Sequence, residues 1–283
     1  MSSVAAVLAS LSLAITQSSP APAAKPVPLL QRIVVLGASL SDGYALRPDA
    51  EVKTGLSDVV ESTLAVPHGS VRSATSLLFF TDPDSIGEKL VAQADAAEPT
   101  LVFAIDYLFW FGYGVQPSDE ARLRHLDQGL ARLESISCPL LVGDLPDMRA
   151  ASQPAPPGAV PPLLIPEQVP SEELLARLNA RIRAWAASRK DVVVVPVADL
   201  FARLRAGSAI EIRGNRWAEG ARGLLLGPDR LHPTLEGAIA LWLAAADRLV
   251  AARDDLPASA FDWDAKAAAR RVLERKAKPI KRP

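Results

Sequence analysis

Ile33–Tyr44 reads IVVLGASLSDGY and joins an apolar run to a short polar turn. The run at its start is mostly β-branched, which is typical of a strand buried on both faces. Gly37 ends the run, and a buried parallel strand that leads into a turn brings the next side chains to the carboxyl edge of the sheet. Open α/β sheets bind their ligands at that edge. Ser39 therefore lies where a nucleophile or a phosphate-contacting residue would lie, unless Ser39 or Ser41 simply caps a helix.

Similar apolar runs recur along the chain and alternate with segments whose apolar residues lie at helical spacing. The runs are at 100–106, 139–144 and 191–197, with a weaker strand within 68–76. The predicted helices cover 52–64, 84–96, 118–135, a segment that begins at 171, a segment that ends at 206, and 235–253. This alternation predicts an α/β fold, a parallel sheet covered by helices on both faces.

The composition narrows the range of functions. The chain has 283 residues, of which 49% are hydrophobic, and a formal net charge of −1. This charge balance argues against a surface for nucleic acid. Cys138 is the one cysteine, so the chain can form neither an internal disulfide nor a cysteine-rich metal site. Chemistry that depends on histidine must use His68, His125 or His232.

The two ends of the chain differ from its middle. Residues 1–25 hold an apolar run followed by the small residues of Ala21–Ala24, as in a cleaved export signal, although no Lys or Arg precedes the run. The run is short for a membrane span, and export without disulfides favours a bacterial periplasm or exterior. Residues 261–283 are predicted to be a basic tail, either solvated or in loose contact with an anionic surface.

Two loops are candidates for the walls of a binding site. The loop at 107–117 is rich in aromatic residues, and Leu145–Pro170 is too rich in proline for regular structure. A long loop of this kind in a compact domain is usually a lid or an inert surface excursion. We expect Phe109, Trp110 and Tyr113 either to line a pocket beside Ser39 or to pack under the proline-rich loop.

A second polar stretch, Gly227–Thr234, reads GPDRLHPT and precedes the last predicted helix. An aspartate three residues before a histidine can turn its carboxylate back onto the imidazole. That contact fixes the tautomer and leaves the other ring nitrogen free to take a proton from a serine hydroxyl. Asp229 and His232 are therefore candidates for an acid and a base that act on Ser39.

Taken together, the two stretches resemble the SGNH, or GDSL-like, hydrolase family. Gly37–Gly43 matches the first block of that family, usually Gly-Asp-Ser-Leu-Ser/Thr-x-Gly, with Ala38 in place of Asp. Asp229-x-x-His232-Pro matches the last block, and the resemblance covers roughly residues 30–253.

The resemblance implies a three-layer α/β/α sandwich with a flavodoxin-like parallel sheet, in a domain that we place at 26–260. It implies Ser39 as the nucleophile, His232 as the base and Asp229 as the orienting acid. In the family, the oxyanion hole uses the serine N–H, a glycine N–H after the second strand and an asparagine side chain after the third.

Alignment with those blocks predicts an oxyanion hole of Ser39, Ser73 and Asp106, with Ser73 at the glycine and Asp106 at the asparagine. An ionised carboxylate has no donor, and losing one such donor costs about 100- to 1,000-fold in rate. Three outcomes follow: Asp106 is kept protonated by burial, a neighbouring group replaces it, or the enzyme is slow.

The leading hypothesis is an exported serine esterase or lipase-like hydrolase that forms an acyl-serine intermediate. It needs no metal or organic cofactor, and its substrate is a small-molecule or glycan ester, such as an acetylated sugar, a lysophospholipid or a short acyl ester. The alternative is a catalytically weakened SGNH-like domain that binds a glycan or lipid ligand, and it is motivated by Asp106.

Two other enzyme classes fit the motifs less well. A dinucleotide-binding oxidoreductase would show the G-x-G-x-x-G spacing, which the stretch after the first strand lacks. An α/β-hydrolase would carry G-x-S-x-G, but position 41 is serine. Its nucleophile would also follow several strands, whereas Ser39 follows the first.

Overall fold

The computed structural model describes residues 25–44, Leu46 and 53–277. The predicted export signal lies outside the described residues except for its last residue, and so do residues 278–283. Within the described part, none of the helices combines the length and the apolar character needed to cross a bilayer.

Five parallel strands form the central sheet, in the order β2-β1-β3-β4-β5. The strands are β1 (Ile33–Gly37), β2 (Arg72–Thr75), β3 (Leu101–Ala104), β4 (Leu140–Gly143) and β5 (Val192–Val195). Because β1 lies between β2 and β3, the chain changes direction across the sheet after β2. That topological switch point opens a crevice at the carboxyl end of β1, and ligands of such sheets bind there.

The described helices pack on the sheet or connect its strands. They are α1 (Ser39–Asp42), α2 (Leu56–Thr63), α3 (Pro83–Asp95), α4 (Phe109–Gly112), α5 (Asp119–Leu133), α6 (Glu172–Ala187), α7 (Val197–Arg205), α8 (Arg222–Leu225), α9 (Leu235–Ala252) and α10 (Ala265–Ala277). A small antiparallel hairpin consists of β6 (Ile210–Ile212) and β7 (Asn215–Trp217).

The sheet separates two apolar cores, so the molecule has three layers. Val35 and Phe103 pack into the core that includes α2, α9 and α10, and the Phe103 ring lies 4.9 Å from that of Trp242. Their neighbours Val34 and Val102 pack into the opposite core, with α3, α5 and α6. Burial of both faces explains why these strands read as nearly continuous apolar runs. The predicted three-layer α/β fold is confirmed.

The shortest elements were not predicted. The expected loop at 107–117 contains α4, and neither α8 nor the β6–β7 hairpin had a predicted counterpart. None of these elements exceeds four residues. A segment so short does not complete enough turns or alternations to show a hydrophobic period.

The predicted boundary between a domain ending at 260 and a basic tail is corrected by α10. Ala268 and Val272 are fully buried in the core shared with α2 and α9. Arg271 donates to the carbonyl oxygen of Ser62 at 2.6 Å and pairs with Asp262 at 2.7 Å. The high number of cations in the segment concealed an apolar stripe at helical spacing. Contact of the remaining tail with an anionic surface stays a prediction.

Candidate active site

The turn that carries Ser39 is shaped by two glycines. Ser39 is the first residue of α1, a helix of four residues that starts directly after β1. A Cβ on Gly37 would collide with the Asp106 carboxylate, and a Cβ on Gly43 would collide with the Thr54 carbonyl. Gly43 also has φ +91°, a conformation that side chains disfavour. The turn therefore needs glycine at both positions for close approach of neighbouring groups.

A continuous chain of hydrogen bonds joins the three predicted catalytic residues. The Nε2 atom of His232 lies 2.9 Å from the Ser39 hydroxyl oxygen, across 193 residues of sequence. The Nδ1 atom of the same ring lies 2.8 Å from Asp229 Oδ2. Asp229 and His232 are both buried, whereas Ser39 is half-buried and faces two cavities. The structure thus brings together the serine, histidine and aspartate that the two sequence blocks predicted.

The loop before α9 holds Asp229 in place through its own backbone. The second carboxylate oxygen of Asp229 accepts the N–H groups of Leu231 at 3.0 Å and His232 at 2.9 Å. Burial acts to raise the pKa of Asp229, but the hydrogen bonds from the His232 ring and from these two N–H groups outweigh it and lower that pKa. The carboxylate is therefore held ionised beside the imidazole.

The residue between Asp229 and Leu231 adopts an unusual backbone conformation. Arg230 has φ +61°, in the left-handed region that favours glycine. Its guanidinium donates to the carbonyl oxygen of Gln153 at 2.8 Å. This contact links the loop that carries Asp229 to the proline-rich segment.

Tyr44 contacts the candidate base and was not predicted as a site residue. Its ring centroid lies 4.4 Å from that of His232, with an angle of 50° between the planes. The sequence offered one signal, since Tyr44 directly follows the Gly43 that ends the first block. The ring packs against the imidazole and so restricts its orientation.

Asp106 lies beside the Ser39 turn, but it is bonded to the backbone rather than free to donate to an oxyanion. Its Oδ1 atom accepts the N–H of Ala38 at 3.1 Å and the hydroxyl of Ser41 at 2.5 Å. Its Oδ2 atom accepts the N–H groups of Leu40 at 3.0 Å and Ser41 at 3.1 Å. The expectation that Asp106 donates to the oxyanion hole is therefore corrected, because backbone N–H groups can only donate and need Asp106 as an acceptor.

One backbone amide of the turn, that of Ser39, donates no hydrogen bond to Asp106. Ala38, Leu40 and Ser41 donate to the carboxylate, but Ser39 does not. Burial raises the pKa of Asp106, while the four hydrogen bonds that it accepts act in the opposite direction. Asp106 therefore fixes the turn on both sides of Ser39 without occupying the Ser39 amide.

Ser73 does not reach the site. It pairs with Val35 in the edge strand β2, two residues before the strand ends, and its hydroxyl donates to Ser57 at 2.8 Å. The register pairs Thr75 with Gly37, so the residues that follow β2 at the edge beside Ser39 begin at Ser76. The alignment of the second family block was offset by a few residues, because a weak polar strand gives no clear end point in sequence.

The three predicted substrate-binding aromatics have different positions. Phe109 lines a narrow pocket next to Ser39, and Trp110 lines a wider open groove on another side of it. Tyr113 is fully buried behind Phe109, with the two rings stacked 4.2 Å apart. The Tyr113 hydroxyl donates to the carbonyl oxygen of Pro146 at 2.5 Å and accepts the N–H of Met148 at 3.0 Å. Tyr113 thus supports the wall of the pocket and does not line it, which corrects its assignment.

The proline-rich segment is fixed to the body of the protein near these cavities. It is irregular apart from short 3-10 turns at Arg149–Ser152 and Pro166–Gln168. The buried Arg122 side chain donates to four backbone carbonyl groups, those of Gly112, Gly114, Glu167 and Gln168. Leu163 and Gln168 of this segment line the open groove. The segment therefore forms part of the wall of the site.

Among the described residues, no group of three or more His, Cys, Asp or Glu side chains is arranged to hold a metal ion.

Comparison with known proteins shows similarity in structure. No family model matches the chain, and no curated protein matches it. A lipase/acylhydrolase from Enterococcus faecalis has a TM-score of 0.50 at 14% identity, covering 75% of this chain and 93% of that one. A gut microbial diltiazem-metabolizing enzyme has a TM-score of 0.49 at 15% identity, covering 76% of this chain and 46% of that one. The chain has the α/β fold of the Enterococcus faecalis acylhydrolase.

Proposed function

We propose that this protein is a serine ester hydrolase that acts through an acyl-serine intermediate. The observation that carries the proposal is the hydrogen-bond chain from Asp229 through His232 to Ser39, with distances of 2.8 and 2.9 Å. These three residues come from two distant parts of the sequence and meet at the switch point of the sheet, where a ligand can reach them. The acylhydrolase fold supports the same reaction class as analogy.

The geometry fits a two-step acyl transfer. In the first step, His232 Nε2 takes the proton of the Ser39 hydroxyl while its oxygen attacks the ester carbonyl carbon. The imidazolium is stabilised by Asp229 and then gives its proton to the alcohol oxygen as the carbon–oxygen bond breaks. In the second step, a water molecule takes the place of the alcohol, His232 accepts a proton from it, and the acid is released as Ser39 regains its proton.

Two backbone amides are suitable for stabilising the oxyanion. The Ser39 N–H is left out of the contacts of Asp106. Leu77, the second residue after β2, lines the groove with Ser39, and its N–H donates no hydrogen bond to another described residue. Donors of this kind stabilise the negative charge that develops on the carbonyl oxygen.

The position of Asp106 favours the hydrolase over the alternative of a weakened ligand-binding domain. That alternative depended on a carboxylate in the place of an oxyanion donor. In the structure, four donors occupy both oxygens of Asp106 and neutralise much of its repulsion. Asp106 is therefore a positioning residue that holds the turn around the nucleophile.

Substitution of Ser39 tests the proposal. We expect Ser39→Ala to lower kcat for a chromogenic short-chain ester by at least about 10⁴-fold, because the acyl group has no acceptor. A fluorophosphonate probe should label the wild type and leave Ser39→Ala unlabelled. Ser73→Ala is the matched control, since Ser73 lies in β2 with an exposed side chain, and it should retain activity and labelling. Undiminished turnover by Ser39→Ala would refute the proposal.

We propose in addition that the enzyme is exported from a bacterial cell, on the basis of the composition of residues 1–25. The mature protein should then begin within or just after Ala21–Ala24 and occur outside the cytoplasm. Mass spectrometry of the protein from separated cell fractions measures both properties. A full-length chain confined to the cytoplasm would contradict export and would leave the proposed reaction untouched.

A further inference from the structure

Two cavities of different character meet at Ser39 and His232. One is a small pocket of about 50 Å³ at the carboxyl ends of β3 and β4, and the other is a groove of about 340 Å³ on another side of the serine. Both include Ser39 and His232 in their walls. An ester bound at Ser39 has two substituents, the acyl group and the alcohol, and each needs a place of its own.

The pocket has buried walls and little room. Ile105, Leu145, Met148 and Val197 line it, and each is at most 5% exposed. Since a cavity needs roughly 10–15 Å³ for each water-sized group, this volume holds about four such groups. An acyl chain of about two to four carbons has that size.

Two carboxylates also border the pocket, and neither is free to bind a charged substrate group. Asp106 accepts four hydrogen bonds from the Ser39 turn. Asp144 accepts the N–H of Ala198 at 2.8 Å and pairs with Arg183 at 3.5 Å. The remaining wall is apolar, so the pocket suits an uncharged hydrocarbon chain.

The groove is larger, and its described walls are mostly apolar, with Tyr44 and Gln168 as polar members beside Ser39 and His232. Leu77, Leu78, Phe80 and Leu163 line it with exposed fractions between 42% and 61%. None of its described lining residues is an Asp, Glu, Lys or Arg. Exposed apolar side chains grouped around a catalytic edge indicate a surface that binds apolar material.

The order of the two chemical steps assigns the substituents to the cavities. The alcohol leaves first, while the acyl group is still bonded to Ser39, and water then enters where the alcohol was. The wide groove, with side chains 42–61% exposed in its walls, gives the alcohol and the water a direct route to solvent, whereas the pocket is narrow and its apolar walls are buried. The group that stays through both steps belongs in the narrow pocket.

We propose, building on the proposed hydrolase function, that the substrate is an ester of a short acyl group of about two to four carbons with an uncharged apolar alcohol. The acyl group lies in the pocket beside Phe109, and the alcohol lies in the groove along Leu77, Leu78 and Phe80.

Two series of esters test this assignment on the wild type. In p-nitrophenyl esters of increasing acyl length, kcat/KM should fall at least about tenfold between four and eight carbons, because the longer chain does not fit the pocket. In alkyl acetates from ethyl to octyl, whose alcohols have similar basicity, kcat/KM should rise by about two- to threefold per methylene while the groove is being filled. A preference for long acyl chains with no dependence on the alcohol would overturn the assignment.

Variants in each cavity test whether the pocket sets the acyl preference and the groove sets the alcohol preference. Phe109→Ala enlarges the pocket and should shift the acyl optimum to longer chains while the alkyl acetate series keeps its slope. Leu78→Ala should flatten the alkyl acetate series, whereas Val115→Ala, a control of the same exposure outside the groove, should not. If Leu78→Ala and Val115→Ala behave alike, the groove does not bind the alcohol. Because the wild-type series needs no variant, a failure of Phe109→Ala to fold leaves the test intact.

Failure of this inference differs from failure of the proposed function. If Ser39 is labelled by a fluorophosphonate and esters are hydrolysed with the opposite preferences, the hydrolase stands and the substrate assignment is wrong. If no ester is hydrolysed and Ser39 is not labelled, the hydrolase itself is wrong.

Discussion

Asp229 and Asp106 are two carboxylates near Ser39 that act through different partners, the first through the His232 ring and the second through the backbone of the Ser39 turn. Asp229 binds the His232 ring and two amides of its own loop, all within three residues of it. Asp106 binds the backbone of a segment 65 to 68 residues away. Burial acts to raise the pKa of both carboxylates. Hydrogen bonds outweigh burial at Asp229 and lower its pKa, whereas at Asp106 burial prevails and the pKa is raised. The partners of a carboxylate, rather than its residue type, therefore determine its role.

Substitution of Asp229 should lower the catalytic rate more than substitution of Asp106. We expect Asp229→Asn to lower kcat by about 10³- to 10⁴-fold, because an amide favours the wrong tautomer of His232 and cannot stabilise the imidazolium. The fold should be retained, since the side chain keeps its shape. Steady-state kinetics with circular dichroism as a check on folding measures both. Activity within tenfold of wild type would show that Asp229 has no orienting role.

Substitution of Asp106 should lower kcat less than substitution of Asp229, but it should also lower the stability of the fold. Asp106→Ala leaves three amides of the turn without their acceptor, and we expect it to reduce the free energy of unfolding by about 2–4 kcal/mol. Asp106→Asn keeps one acceptor oxygen but places an N–H₂ group against backbone donors, so we expect a milder loss of stability and about a 10- to 100-fold lower kcat. Urea unfolding and ester kinetics on both variants measure these changes.

The result for Asp106→Asn distinguishes the two accounts of Asp106. The SGNH hydrolases that the sequence resembles carry asparagine at the aligned position, so a large gain in rate would mean that the wild type is impaired and that Asp106 does lie at the oxyanion. A loss, together with lower stability, supports a positioning role. Asp254→Asn, at an exposed carboxylate just after α9, is a control for the general effect of removing one charge.

The smallest effect is on the dependence of stability on pH. Asp229, whose pKa is lowered on folding, contributes stability above its unfolded pKa of about 3.9, and that contribution is lost as the pH falls through the lower folded value. Asp106, whose pKa is raised, does the reverse: the folded state takes up its proton first, so its contribution grows as the pH falls from the raised value toward about 3.9.

Urea unfolding between pH 3 and pH 7 separates the two contributions. Below about pH 4, Asp229→Asn should lose less stability on acidification than the wild type. Above about pH 4, Asp106→Asn should lose more stability on acidification than the wild type, because the opposing gain is absent. Identical pH profiles for the two variants would contradict the contrast between the carboxylates.

The sequence motifs predicted the local arrangement of residues correctly where the residues in contact are close in sequence. The Asp229–His232 contact spans three residues, and the Ser39 turn follows directly from the glycines that border it. Ser73 and Tyr113 were misplaced, because their positions depend on strand register and on packing against distant segments, and neither property leaves a periodic pattern in a short segment. The helix α10 was missed for a different reason, since its many cations concealed its apolar stripe.

Hydrophobic period and local turns are enough to predict the alternation of strands and helices, the strand that precedes Ser39 and the loop that joins Asp229 to His232. The folded structure was needed to see that Asp106 accepts the amides around Ser39, and that a narrow pocket and a wider groove meet there. Those features arise where chain segments far apart in sequence come within hydrogen-bonding distance, so no local pattern encodes them.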